Sequence, residues 1–288
     1  MLQDIGPHVF RNEFSLKRPP RASDWVMAFR DRNILVSGNG KDVPLRLPEV
    51  SSFDKGKLLY LFSADSRACY LYTGDPDALG IPGFSWQSTV TLRSENPRLI
   101  CFAGFTAWHL HSWYITNRFC GKCGAETAHS ENERALFCPR CGNIIYPRIA
   151  PAVIVGITDG DRLLITSYRD RPYRGPALIA GFCEIGETPE QTASREAMEE
   201  VGIRIRDLTY AGSQPWGLDG NLLMGFMAKA DGNTRIIRDE NELAEAVWLS
   251  REEIPEPDTV ISLTRTMISN FKRHGFNFGN GNGITGGN

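Results

Sequence analysis

The sequence predicts an α+β chain built in three parts, and three observations carry that reading. Residues 1–117 alternate short apolar runs with turn residues and close on one helical pattern. Four cysteines in two C-x2-C pairs follow within residues 118–146. Residues 147–274 then set β-branched runs on both sides of the longest helical pattern in the chain.

The N-terminal part reads as β-rich. "NILVSGNGKDVPLRL" is two short apolar runs around a Gly/Asn turn, and "KLLYLFSADSRACYLYTG" is a hairpin turning at Ser-Ala-Asp-Ser. In "PRLICFAGFTAWHLHSWYITN", Phe105, Trp108, Leu110, Trp113 and Tyr114 recur at helical spacing, which predicts a helix ending near Asn117. No catalytic cluster stands in this part, and its aromatic side chains read as core.

Beyond the cysteines, "APAVIVGITDGDRLLITSY" places two strand runs around Asp159-Gly160, a hairpin signal. "GETPEQTASREAMEEVGI" follows. Thr188 is its N-cap, Pro189 its first helical residue and Gly202 its stop. "DLTYAGSQPWGLDGNLLMGFMAKA" predicts two strands with an irregular loop between them, and "PDTVISLTRTMISNFKRH" a closing helix. The Gly/Asn-rich residues 275–288 cannot bury a core and are expected to be disordered.

With 32 basic and 34 acidic residues, a net charge of −2 gives the chain no overall attraction to nucleic acid or to an anionic membrane. The first residues lack a basic stretch followed by an apolar run, and no stretch reaches the ~18 apolar residues of a spanning helix. A cytoplasmic location is therefore expected. There, seven cysteines call for metal or reduced thiols before disulfides.

Cys120, Cys123, Cys138 and Cys141 stand as C-x2-C-x14-C-x2-C. Each pair can turn two sulfurs toward one ion, and four thiolates complete a tetrahedral Zn²⁺ site with no open position. The expected role is structural, with one Zn²⁺ per chain. Cys69, Cys101 and Cys183 fit no ligand spacing and read as small buried hydrophobes. Lys122, Arg134 and Arg140 face Glu126, Glu131 and Glu133 in this module, so no basic face marks it as a nucleic-acid binder.

The long helix carries Glu196, Glu199 and Glu200 within five residues, beside Arg195. At 100° per residue, Glu200 falls ~40° to one side of Glu196 and Glu199 ~60° to the other. The three carboxylates can converge on one small volume. A solvated face would account for them; so would a hard cation such as Mg²⁺ or Mn²⁺, whose charge offsets their repulsion.

The stretch "GFCEIGETPEQTASREAMEEVGI", residues 181–203, resembles the Nudix box, with Gly181, Glu187, Arg195, Glu196, Glu199, Glu200, Gly202 and Ile203 in register. Ala197 stands where a larger aliphatic is usual. The resemblance implies the Nudix fold, a mixed sheet between helices, and metal-dependent hydrolysis of a nucleoside diphosphate linked to another group. It assigns Glu196, Glu199, Glu200 and the Ala180 carbonyl to two or three Mg²⁺ or Mn²⁺ ions, and Arg195 to holding the cluster by ion pairing. Glu187 would support the loop–helix geometry.

Three further features resemble the NADH pyrophosphatase (NAD diphosphatase) branch of that family: the cysteine module just ahead of the box, "YPRIAP" at 146–151 and "SQPW" at 213–216. The branch usually continues SQPW with Pro-Phe-Pro, one residue, then Ser. This chain has Gly217-Leu218-Asp219-Gly220-Asn221, a more flexible loop with a new acid. By resemblance, Phe182 and Tyr146 stack on the nicotinamide, with the tyrosine coming from the second subunit of a homodimer. Gln214 is a polar contact to the substrate, and Trp216 lines the site or packs as a core residue. Glu242 is a further metal ligand, with Glu245 one helical step away as the alternative. No histidine lies in any motif, so metal-activated water is expected in place of a histidine base. The expected reaction takes NADH or NAD⁺ and water to NMNH or NMN and AMP. Other readings keep the chemistry and change the substrate, to ADP-ribose, a dinucleoside polyphosphate or the NAD cap of an RNA. A catalytically dead nucleotide-binding sensor is the alternative of a different class.

Overall fold

The structure, a computed structural model, describes residues 1–169, 175–256 and 259–276. From residue 277 onward, the tail expected to be disordered lies outside the described residues. The chain divides into two compact units. One holds Leu2–Arg148 with Gly217–Gly220; the other holds Met1, Ile149–Trp216 and the chain from Asn221 on. The cysteine module thus groups with the N-terminal part. Among the described residues, no helix is long and apolar enough to cross a membrane.

The first unit contains β1 (Phe10–Arg11), β2 (Trp25–Met27), β3 (Phe29–Arg30), β4 (Asn33–Val36), β5 (Leu58–Ala64), β6 (Arg67–Tyr72), β7 (Ser85–Ser88) and α1 (Arg98–Thr116). One sheet runs β1-β5-β6-β2 and a second β3-β4-β7. The β5–β6 hairpin forms where the apolar runs predict it. Its turn residue Asp65 takes a positive φ of 52°, a region that Asp tolerates better than most residues. Asn117 closes α1 through its backbone and side-chain amides, both donating to the Trp113 carbonyl.

The expected strand pair in 33–47 is only half formed. β4 pairs with β3 and β7, whereas the second run contributes a single bridge, Ser37 to Arg46. The Asn39 side-chain oxygen accepts from the backbone N–H of Lys41, Asp42 and Val43. That local cap competes with ladder formation, and Pro44 has no N–H to give.

Within the cysteine module, β8 (Ala128–His129), β9 (Leu136–Phe137) and β10 (Ile144–Ile145) form a small antiparallel sheet in the order β10-β9-β8.

The second unit is built on a six-stranded mixed sheet: β11 (Ala150–Asp159), β12 (Arg162–Tyr168), β13 (Ile179–Phe182), β14 (Ile205–Trp216), β15 (Asn221–Ala230) and β16 (Leu243–Ser250). Its order is β14-β15-β11-β12-β16, with β13 also on β11. The β11–β15 pair is parallel and the others antiparallel. β11 forks: Thr158 and Asp159 pair with β12, while Ala152 to Val155 pair with β13.

Alternation along β11 separates two cores. Val153, Val155 and Ile157 pack with Ala193, Ala197 and Val201 of α2 (Pro189–Val201). Ile154 packs on the other face with Leu263, Met267 and Phe271 of α3 (Leu263–His274). The sheet therefore lies between two helices, as the Nudix resemblance implies. Ala197 is fully buried against the sheet, so its small size belongs to packing. The β14–β15 connection is a tight four-residue turn, with Gly220 at φ 73°, in place of the irregular loop expected there.

Candidate active site

The helix α2 is fixed at both ends by its own sequence. Thr188 Oγ1 accepts from the Gln191 N–H and the Gln191 side chain accepts from the Thr188 N–H, a closed capping box with Pro189 at the first position. Gly202 takes the left-handed conformation at the other end. This sets Glu196, Glu199 and Glu200 beside β13, which brings Ala180, Gly181 and Phe182 alongside.

Arg195 is the hub of the acids. Its Nε donates to Glu187 Oε1 at 2.8 Å and Nη2 to Glu187 Oε2 at 3.0 Å, a two-point pair. Nη1 donates to Glu196 Oε1 at 2.7 Å and Glu199 Oε2 at 2.8 Å, and Nη2 also reaches the Phe182 carbonyl at 3.0 Å. Glu187 in turn accepts from Thr192 Oγ1 at 2.9 Å and from the Glu184 N–H at 3.1 Å. The Arg195 hydrogen bonds, helped by these two donors, hold the Glu187 carboxyl down at about 2. Glu187 first, then Glu199 and Glu196, raise the guanidinium above its ordinary value against the cost of burial.

Glu200 is 2% exposed, with Oε1 accepting from the Ala180 N–H at 3.4 Å. Burial raises the Glu196 carboxyl above its ordinary value, and the charges of Glu199 and Glu242 add to that against the pull of Arg195. Glu242 is therefore close enough for Glu196 to feel its charge; Glu245 sits opposite Ser167 in the β12–β16 ladder. The Ala180 carbonyl lies 3.5 Å from the Tyr168 hydroxyl, which also donates to the Leu178 carbonyl at 3.3 Å.

The three helix carboxylates do not close on a single point. Among the described residues, only the four cysteines bring three or more ligand atoms within 4.8 Å of one another. The guanidinium draws Glu196 and Glu199 to itself, while Glu200 turns inward to the β13 backbone. The donor set nevertheless suits a hard dication: carboxylate oxygens from Glu196, Glu199, Glu200 and Glu242, and one backbone carbonyl at Ala180.

The substrate-binding expectations divide. Phe182, at the end of β13, is 55% exposed, and Tyr146 is 57% exposed; both rings are accessible for stacking. The Tyr146 hydroxyl donates to Glu133 Oε1 at 3.2 Å. No spacing rule in the sequence links those two residues. Gln214 is a correction: it is fully buried, its Nε2 donates to the Ile261 carbonyl at 2.8 Å, and its Oε1 accepts from the Leu263 N–H at 2.7 Å. Its amide seats the start of α3. Trp216 is 7% exposed and belongs to the interior, the core alternative of the sequence reading.

The cysteines form two matching knuckles. The Cys120 N–H donates to the Ala125 carbonyl and the Gly124 N–H to the Cys120 carbonyl; Cys138, Asn143 and Gly142 repeat the pattern. Gly124 and Gly142 take φ of 73° and 71°, where a side chain would be strained. Cys120 and Cys141 sulfurs lie 3.7 Å apart, and those of Cys123 and Cys138 3.4 Å. Sulfurs around a tetrahedral zinc at ~2.3 Å stand roughly 3.8 Å apart. The four thiols fit a structural zinc.

Comparison with known proteins places two domain families in the chain. The NUDIX domain family matches residues 148–271, and the NADH pyrophosphatase zinc ribbon domain matches residues 115–146. A relative in Stutzerimonas stutzeri, named NAD-capped RNA hydrolase NudC, is 31% identical over 268 residues, covering 90% of this chain and 93% of that protein. The protein of that name in Shigella flexneri is 40% identical over 146 residues, 51% of this chain and 56% of its own. Among solved structures, a NUDIX hydrolase from Nitrosomonas europaea superposes with a TM-score of 0.46 at 26% identity, covering 54% of this chain and 90% of that one.

Proposed function

This chain belongs to the zinc-ribbon NADH pyrophosphatase branch of the Nudix hydrolase family, and from that premise we propose that it cleaves the diphosphate of NADH or NAD⁺, giving NMNH or NMN and AMP. The observation that carries the reaction class is the Arg195 hub. One guanidinium fixes Glu187, Glu196 and Glu199 beside the β13 backbone, with the buried Glu200 next to them.

Mg²⁺ or Mn²⁺, held by Glu196, Glu199, Glu200, Glu242 and the Ala180 carbonyl, would supply an activated water and offset charge on the departing phosphate. Arg195 sets the Glu196 and Glu199 carboxylates and, through the Phe182 carbonyl, the end of β13. That positioning is the protein's share of the rate, because alignment within a fraction of an ångström governs such transfers. The exposed Phe182 ring offers a face for the nicotinamide. The exposed Tyr146 ring is suited to the same task for the second subunit of a homodimer. Trp216 acts through packing.

The names of the relatives favour a second reading on the same bond, an NAD cap at the 5′ end of an RNA. Product chromatography across NADH, NAD⁺, ADP-ribose, a dinucleoside polyphosphate and an NAD-capped RNA decides between them. NADH or NAD⁺ should give the highest kcat/KM. NADH as the poorest substrate rejects the assignment, and tight nucleotide binding without turnover in Mg²⁺ and Mn²⁺ identifies a sensor instead.

A further inference from the structure

Thr192 lies inside α2 and is fully buried. A threonine is a modest helix former, because its branched carbon crowds the preceding turn. In a helix interior its hydroxyl commonly bonds back to the carbonyl four residues earlier. Here that carbonyl, of Thr188, stands 3.1 Å from Oγ1, but it already accepts from the Thr192 N–H at 3.0 Å. The hydroxyl is therefore not needed to satisfy the backbone. Its second acceptor is Glu187 Oε2 at 2.9 Å. A hydroxyl has one proton to give. The carboxylate is the nearer acceptor, and with a pKa of about 2 it is ionised at neutral pH. Hydrogen bonds to an ionised group are roughly twice as strong as neutral ones. The proton goes to Glu187.

Thr188 is the N-cap of α2, so Glu187 and Thr192 occupy the position just before the cap and the fourth position after it. Apolar side chains at these two positions often pack together and fix the angle at which the chain enters a helix. α2 takes that angle from its capping box and Pro189. The same two positions are left for a polar contact.

That contact leads to Arg195. Among the described residues, Glu187 Oε2 accepts from Thr192 Oγ1, Arg195 Nη2 and the Glu184 N–H, and Oε1 accepts from Arg195 Nε. A two-point pair of this kind needs the carboxylate close to the plane of the guanidinium. Thr192 is a short side chain on a helix, and its hydroxyl opposes rotation of the carboxylate out of that plane. The other guanidinium donors are committed as well: Nη2 to the Phe182 carbonyl, Nη1 to Glu196 and Glu199. Because the group is planar, its seating on Glu187 sets the direction in which Nη1 points.

We propose that Thr192 is a positioning residue of this site: its hydroxyl holds the Glu187 carboxylate in the plane of Arg195 and thereby places Glu196 and Glu199. Its effect on turnover rests on the reaction proposed above; the hydrogen-bond relay itself does not.

The test compares Thr192→Val, which keeps the shape and removes the hydroxyl, with Thr192→Ser, which keeps the hydroxyl. Exchange of the Arg195 Nε–H with water, followed by nitrogen-15 NMR on the full chain without Mg²⁺ or Mn²⁺, reads the seating of the guanidinium directly. It should quicken several-fold in Thr192→Val and return to the wild-type rate in Thr192→Ser, with backbone amide protection at 191–193 unchanged in both. In Mg²⁺, kcat for NADH should fall about three- to tenfold in Thr192→Val, less than the roughly 10–100-fold of a direct outer-shell partner. KM should stay within twofold, and Thr192→Ser should restore kcat. If Thr192→Val does not fold, Thr192→Ala carries the same comparison. Unchanged Nε–H exchange without the hydroxyl overturns the proposal, as does failure of Thr192→Ser to restore it. An equal loss of amide protection at 191–193 also overturns it, since the hydroxyl would then only staple the helix. So does wild-type kcat in Thr192→Val despite quickened exchange. Quickened exchange in a chain whose wild type turns over no NADH supports the relay and rejects the reaction.

Discussion

Gly181 lies against the Glu196 carboxylate so closely that a methyl group on its Cα would overlap both carboxylate oxygens. The glycine at this point of the chain is therefore a steric requirement of the acid across from it. Because Glu196 is also held by Arg195 Nη1 at 2.7 Å, it can yield only by giving up that ion pair.

Gly181→Ala should consequently leave the fold intact and displace the acids. Misplacement near 1 Å costs about 100-fold in rate, and a loss of that order in kcat is expected, with the circular dichroism spectrum unchanged. Activity within threefold of wild type would mean that Glu196 has room the structure does not show.

Glu200 is the buried member of the set, bonded to the Ala180 N–H. Glu200→Gln keeps the shape and removes the charge. Turnover in Mg²⁺ should fall by more than the roughly 10–100-fold that follows loss of an outer-shell partner. Mn²⁺ binding, followed by its paramagnetic resonance signal, should weaken in parallel while the melting temperature holds or rises. A variant with near-wild-type turnover would remove Glu200 from the mechanism.

Much of this site is legible in the sequence, because its parts are local. The Thr188 cap, the Gly202 stop and the one-face spacing of the glutamates all follow from helical geometry over a dozen residues. So does the hairpin at Asp159-Gly160. Pairings that depend on tertiary placement are not legible. Gln214 reaches Ile261 and Leu263 across 47 and 49 residues, and its type is equally suited to a substrate or a buried backbone. Glu133 reads as one ribbon acid among three until the fold brings Tyr146 to it. The convergence expected of the three carboxylates is altered by Arg195, whose neighbours periodicity places beside it but whose hydrogen bonds it does not assign.

The Glu187–Arg195 pair should show in the pH dependence of stability. Glu187 sits at about 2 in the folded chain, below an ordinary glutamate near 4.3. A depressed carboxylate stabilises the fold above its unfolded pKa and loses that contribution as pH falls through the folded one. Wild type should therefore melt above Glu187→Gln by a constant margin from pH 8 to about 5. The margin should shrink between pH ~4.3 and about 2. A margin that widens in acid would contradict the assignment.

Gln214→Leu separates a structural amide from a substrate contact. It strands the Ile261 carbonyl and the Leu263 N–H, each worth roughly 1–3 kcal/mol when buried and unpaired. A destabilisation of roughly 2–6 kcal/mol in urea unfolding is expected on that basis. At temperatures where the variant stays folded, KM should remain within twofold. A KM raised tenfold with normal stability would restore Gln214 to the substrate.

The zinc knuckles make the last prediction. Each of the two pairs is a backbone turn closed by a glycine at positive φ, so the loops are preset, but four sulfurs within 4.8 Å would repel as thiolates without an ion between them. Elemental analysis should find one zinc per chain, retained through mild chelation that strips Mg²⁺ or Mn²⁺ from the acids. Cys138→Ser should release it. Because β9 (Leu136–Phe137) enters that second knuckle, loss of the ion should expose the ribbon to proteolysis and leave the mixed sheet protected, since metal binding and folding are coupled in such small modules. A chain that contains no zinc and keeps a protease-resistant ribbon would reject the metal assignment.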